Sequence, residues 1–170
     1  MADEIVALVD KNDQQIGQKN RHDLTDDDCW RIVSIWVENS HGQVLLQQRS
    51  LDKATDPGCW TPAAEGTVVL GEDYDSTAVR ELEEEIGLTD HPLRKQNKVW
   101  TKFQFGSRQF QAYTVACDWP VEQFTAQASE VAALEWVDKQ QVIAEITGQT
   151  TPTRLWPVSA HCWPAAFGLV

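Results

Sequence analysis

The apolar positions alternate and cluster in a way that marks out most of the elements before any chemistry is considered. Glu4-Ile5-Val6-Ala7-Leu8-Val9, a polar turn at Asp10-Lys11-Asn12-Asp13 and a return through Ile16 predict a hairpin over residues 4–19. After the acidic connection Asp23–Cys29, the β-branched and aromatic run Arg31–Val37 predicts a strand. Asn39-Ser40-His41-Gly42 is turn chemistry, and Val44–Gln48 returns. Residues Ser50–Pro62 read as irregular, because Pro57, Gly58 and Pro62 interrupt them. Thr67–Leu70 is short and apolar. From about Asp73 to Ile86 the spacing of Val79, Leu82 and Ile86, with Ala78 beside them, predicts a helix ending at Gly87. Strands are expected over Lys98–Phe105 and Gln109–Ala116, joined at Gly106-Ser107. A further strand over Ala132–Val137 leads into a helix at about Lys139–Glu145. The tail from Thr150 to Val170, with three prolines and two tryptophans, carries no assignable pattern. Strands and helices mix without strict alternation, which predicts an α/β fold with a mixed sheet and helices packed on it.

Composition narrows the function classes. The 170 residues suit a single domain, 1–170, with its own hydrophobic core. Fourteen Lys and Arg against 26 Asp and Glu leave a net charge of −12. So acidic a chain repels nucleic-acid polymers and anionic membranes. A small phosphate ester can still bind if a metal cation stands between the two anions. Cys29, Cys59, Cys117 and Cys162 have no zinc-ligand spacing among themselves or with the histidines. The acidic N-terminus is unlike a secretory or transit segment, and no apolar stretch approaches the 18 or so residues of a membrane span. The expectation is a cytoplasmic protein with reduced thiols.

The chemistry concentrates in Gly66–Leu88. On the predicted helix, Val79, Leu82 and Ile86 are expected to be buried. Glu81, Glu84 and Glu85, at i, i+3 and i+4, then share the other face. Like charges at that spacing cost helix stability, and they lie toward the end where the dipole disfavours anions. A divalent cation such as Mg²⁺ or Mn²⁺ would reward the arrangement, since it takes hard oxygen ligands from carboxylates, water and phosphate. A solvated acidic face is the other reading of the helix alone.

The whole segment resembles the Nudix box, G-x5-E-x7-R-E-U-x-E-E-x-G-U with U aliphatic. Gly66, Glu72, Arg80-Glu81-Leu82, Glu84-Glu85 and Gly87-Leu88 fill every specified position. The resemblance is to Nudix hydrolases, which cleave nucleoside or other diphosphates linked to a further group X. It implies an α/β/α sandwich over about residues 4–147. It also implies Mg²⁺ or Mn²⁺ held by Glu81, Glu84 and Glu85, with the Gly66 carbonyl joining the coordination. Arg80 and Glu72 correspond to the pair that buttresses the box. The family places its general base differently among members. Glu84 or Glu81 within the box, Glu130 ahead of the last strand and, more weakly, Glu122 are the candidates here. Arg49, ending a strand before the site loop, is a candidate phosphate contact.

The flanks are similar to the branch containing isopentenyl diphosphate isomerase, through EIVALVDKNDQQIGQ, GQVLLQQR at 42–49 and PGCWT at 57–61. That isomerase uses a Cys just before the box glycine and a Glu on a later strand. Here those positions hold Glu65 and fall near Gln109, and Cys59 lies six residues too early. With an intact box, these departures point to hydrolysis. The rival readings are a nucleotide-sensing module that kept the fold, and the isomerase. Trp36, Trp60, Trp100 and Trp136 are expected in the core, and Phe103, Phe105 and Phe110 are expected to pack around a turn. His22, His41, His91 and His161 are scattered and complete no triad. The N-terminal hairpin and the Trp-rich tail are candidate homodimer surfaces.

Overall fold

The computed structural model describes residues 4–103 and 106–169. Its organising element is β3 (Cys29–Glu38), long enough to pair with different partners along its length. The N-terminal hairpin, β1 (Ile5–Val9) and β2 (Gln15–Asn20), joins its start through Leu8 opposite Trp30. At the other end, Val37 and Glu38 pair with Leu45 and Val44 of β4 (Gln43–Arg49). Along one edge β6 (Ala64–Thr67) runs antiparallel to β3, with Gly66 opposite Val33. Along the other edge β8 (Gly106–Ala116) runs parallel to it from Cys29–Ser107 to Glu38–Ala116. β5 (Trp60–Pro62) and β9 (Val131–Asp138) pair with β4, and β7 (Arg94–Phe103) pairs with β8. The sheet is therefore mixed, as expected.

Strand alternation on β3 divides the core. Val33, Ile35 and Val37 face α1 (Tyr74–Ile86) together with Leu45, Ala64, Tyr113 and Val115. Trp36 faces the opposite layer with Val44, Leu46, Phe110 and Ala112. There the sheet is covered by α2 (Lys139–Ile146) and the short C-terminal α3 (Trp163–Ala166), completing the α/β/α sandwich. No helix among the described residues is long and apolar enough to cross a membrane.

Local chemistry fixes the ends of α1. The Asp73 carboxylate accepts the Ser76 N–H at 2.8 Å, while the Ser76 hydroxyl returns to the Asp73 backbone, a reciprocal cap. Gly87 closes the helix at φ +71°, in the left-handed region that favours glycine. The expected burial of Val79 is wrong, since that residue is 54% exposed. The inward face is Thr77, Ala78, Glu81, Leu82, Glu85 and Ile86. Of the three box carboxylates on the helix, Glu81 and Glu85 therefore lie on its packed side and Glu84 faces solvent. Leu82 and Ile86 are buried as expected, with Ala78; an apolar-periodicity reading excludes acids from the core by construction, which is why it put Glu81 and Glu85 on the outer face and Val79 on the inner one.

Other differences are smaller. Part of the segment read as irregular forms β5. Gly106 and Ser107 already belong to β8, paired with Phe103 and Lys102. The expected turn packing of Phe105 lies outside the described residues. Trp36 is core, but Trp100 is 43% exposed on β7. The unassigned tail is a structural layer: the Trp60 N–H donates to the Leu155 carbonyl, Trp163 is fully buried, and Phe167 stacks on Trp36 at 4.5 Å. Glu145 anchors it by accepting from Gln141 Nε2, Thr153 Oγ1 and Trp156 Nε1 at 3.0, 2.7 and 3.0 Å.

Candidate active site

The site is built where α1 crosses β6. A Cβ at position 66 would fall 1.9 Å from Glu81 Oε1, so only glycine leaves the carboxylate its place against the strand. One turn further, Glu85 Oε2 accepts the Glu65 backbone N–H at 3.1 Å and the Gln47 amide at 2.8 Å. Gln47 is buried on β4, two residues along the same face from Leu45. Its Oε1 makes no hydrogen bond. Sequence reasoning missed Gln47; the available signal was a polar residue standing in the apolar register of a buried strand.

Arg80 ties the acids together. Its Nε and Nη2 hold both oxygens of Glu72 at 3.1 Å, and its Nη1 reaches Glu81 Oε1 at 2.9 Å and Glu84 Oε2 at 3.0 Å. Thr77 Oγ1 also donates to Glu72, at 2.7 Å. The expected Arg80–Glu72 pair is thus present, with Arg80 bridging onward to the acids of the helix. Those bonds hold the Glu72 carboxyl below its ordinary range. Burial, assisted by mutual repulsion, does the opposite to the inward pair. It pushes Glu81 up to about 7, against the pull of Arg80, and Glu85 up to about 8, with the Glu81 charge adding to it.

These residues fit a divalent cation by their chemistry. Two buried carboxylates side by side ionise at a cost that a cation would remove, and the strand glycine lets Glu81 lie against the strand. Among the described residues, however, no three His, Cys, Asp or Glu side chains converge in ligand geometry. Arg80 and Gln47 hold the carboxylate oxygens instead.

The remaining candidates are placed around this centre. Glu130 lies on the loop before β9, its carboxylate paired with Lys53 and its carbonyl accepting the Ser50 N–H. That loop is stitched to the end of α1, where the Gln127 N–H donates to the Glu85 carbonyl at 3.0 Å. Arg49 donates to the Thr55 carbonyl from Nε and Nη2, at 3.1 and 3.0 Å. Glu122 sits exposed in a 3₁₀ turn at Val121–Gln123. Arg21 follows β2 and pairs with Glu4 Oε2 at 2.6 Å, and its charge also acts on Glu81. It comes from the N-terminal hairpin, whose first strand meets the box loop through Val6–Val69 and through the Leu70 N–H on the Ile5 carbonyl.

Known proteins resemble this chain in sequence and in fold. The NUDIX domain profile matches residues 30–157. An uncharacterized Nudix hydrolase of Pseudomonas aeruginosa is 33% identical over 144 residues, 84% of this chain and 83% of that protein. An isopentenyl-diphosphate Delta-isomerase of Photorhabdus laumondii is 39% identical over 94 residues, about half of either chain (55% and 52%). Among solved structures, a Deinococcus radiodurans protein superposes with a TM-score of 0.81 at 23% identity, over 96% of this chain and 99% of that one.

Proposed function

This chain belongs to the Nudix family of hydrolases acting on pyrophosphate bonds, and we propose that it is a Mg²⁺- or Mn²⁺-dependent hydrolase of a small X-linked diphosphate. The observation that carries the reading is the pair of buried carboxylates, Glu81 and Glu85, set against Gly66 and the Glu65 backbone. Glu81, Glu84, Glu85 and the Gly66 carbonyl would hold the cation. When bound, it would neutralise diphosphate oxygens and acidify an attacking water.

The chain's own residues have separable tasks. Arg80, held bidentately by Glu72, keeps Glu81 and Glu84 together, so that the acids are arrayed before substrate arrives. Glu130, on the loop fixed to the end of α1, takes the proton from water; Glu84 or Glu81 is the alternative base. The water oxygen forms a new bond to phosphorus, the bridging P–O bond breaks, and the leaving phosphate keeps its electron pair. Arg49 supplies positive charge that a diphosphate needs on a chain of net charge −12.

The isomerase reading is disfavoured by two positions. Glu65 stands where that branch resemblance requires Cys. The side-chain amide of Gln109, near the second required position, is spent on the Asp10 and Lys11 carbonyls.

The test is phosphate release from a panel of nucleoside, sugar and alkyl diphosphates with and without Mg²⁺ or Mn²⁺. Wild-type turnover should require the cation, and Glu85→Gln should lower kcat by orders of magnitude. Millimolar cation should raise the Tm of the wild type more than that of Glu81→Gln/Glu85→Gln. Cation-independent hydrolysis, or equal Tm responses, would overturn the assignment.

A further inference from the structure

Two donors reach the Glu85 carboxylate, and both take the same oxygen. Gln47 Nε2, from β4, and the Glu65 backbone N–H, from β6, bond to Oε2 at 2.8 and 3.1 Å. Among the described residues no hydrogen bond or ion pair reaches Glu85 Oε1. Arg80 treats its own two acids in the same way, through Glu81 Oε1 at 2.9 Å and Glu84 Oε2 at 3.0 Å. Arg80, however, is a cation and offsets part of their charge. The donors on Glu85 are neutral, so they orient its carboxylate and leave its charge intact.

Packing does not account for an amide at position 47. The residue is 2% exposed and lies on the same face of β4 as Leu45, between Thr61 of β5 and Leu134 of β9 in the strand register. The Thr61 hydroxyl donates to the Pro62 carbonyl at 3.3 Å. Gln47 Oε1 is buried without a hydrogen bond. One end of a buried amide left unpaired destabilises the fold, and a leucine or methionine in the same register would avoid that cost. What the amide supplies, and an alkyl chain would not, is the donor on Glu85.

We propose, resting on the cation-dependent reading above, that Gln47 is a positioning residue that restricts Glu85 to coordination through one oxygen and so sets a preference for a small divalent cation over Ca²⁺. With Oε2 held on two strands, Oε1 is the oxygen that Glu85 has to offer. Mg²⁺ and Mn²⁺ favour six oxygens in octahedral array and are served by single carboxylate oxygens. Ca²⁺ takes six to eight ligands at longer distances and often uses both oxygens of a carboxylate. A carboxylate clamped on one side meets the first demand and denies the second. Gln47 acts through Glu85 and touches neither the reacting phosphorus nor the attacking water.

The experiment measures binding rather than turnover. The probes are Mn²⁺, whose free ion is counted by electron paramagnetic resonance, and Ca²⁺, measured by competition with it. Gln47→Met keeps the length of the side chain and removes the donor. Its Mn²⁺ Kd should rise about 10- to 100-fold, the usual effect of removing a partner of a metal ligand, and its Ca²⁺ Kd should rise less, so that the preference for Mn²⁺ falls by about fivefold or more. A smaller fall overturns the inference. In a Glu85→Gln background, Gln47→Met should leave the preference unchanged; a further fall there would mean that Gln47 acts by another route, and overturns it too. If wild type binds no Mn²⁺ at millimolar concentration, the cation reading fails and this inference with it. If wild type binds Mn²⁺ and Gln47→Met keeps the preference, only this inference fails. If Gln47→Met does not fold, nuclear magnetic resonance of the wild type decides. With saturating Mg²⁺ the Gln47 side-chain amide should shift and stay protected from solvent exchange, because Oε2 remains its acceptor. No shift, or loss of protection, overturns the inference.

Discussion

The Glu81 carboxylate occupies the volume that any side chain at position 66 would fill, with its Oε1 1.9 Å from where a Cβ would stand. The clash is with the end of a side chain rather than with backbone, so Gly66→Ala should fold. Its cost should fall on Glu81, displaced from β6. The expected result is a far-UV spectrum like wild type and a kcat at least tenfold lower, ~1.4 kcal/mol of barrier or more. Wild-type kinetics in Gly66→Ala would show that the position of Glu81 does not matter to the reaction.

Glu130 can be tested apart from the cation. A general base contributes ~10²–10⁴-fold, so Glu130→Gln should lose activity in that range while the Tm response to Mg²⁺ stays at the wild-type level. Full activity in single-turnover measurements would move the base to Glu84 or Glu81.

Acid sensitivity should be set partly by the N-terminal hairpin. Asp13 accepts from Arg31 Nε at 2.7 Å and from the Tyr74 hydroxyl at 3.1 Å, and it also pairs with Lys98. Burial pushes its carboxyl up, but Lys98 and Arg31 outweigh burial and leave it below the ordinary range. A depressed folded pKa contributes stability above the unfolded value, about 3.9, and the contribution is lost as pH falls through the folded value. Asp13→Asn should therefore be about 1–3 kcal/mol less stable at pH 7, and the gap should narrow below about pH 4. Urea melts across pH check this; a constant gap at every pH would mean that the charge is not what matters.

Two residues of α1 should behave oppositely. Leu82 is 3% exposed, so Leu82→Ala should cost about 2–5 kcal/mol. Val79→Ser should stay within about 0.5 kcal/mol, because most of that side chain is already in water. A large loss in Val79→Ser would mean that the side chain is covered in solution.

By itself the sequence determined the parts whose cause is local. The alternation around the Asn39–Gly42 turn, the stop at Gly87 and the spacing of the box are written in consecutive residues, whereas the pairing of Arg80 with Glu72 came from the resemblance of the box. Tertiary structure alone decided which face of α1 packs inward. Val79 and Glu81 differ by two positions, and the acid goes in because Gly66, on a strand remote in sequence, leaves room for it. Gln47 joins the site because β4 passes beneath Glu85, 38 residues away. Glu65 links two partners distant in sequence, its backbone N–H holding Glu85 and its carboxylate accepting from Ser34 Oγ at 2.6 Å. The tail was illegible for a related reason: its tryptophans pack against the far side of the sheet, and no local period records a contact between Trp36 and Phe167.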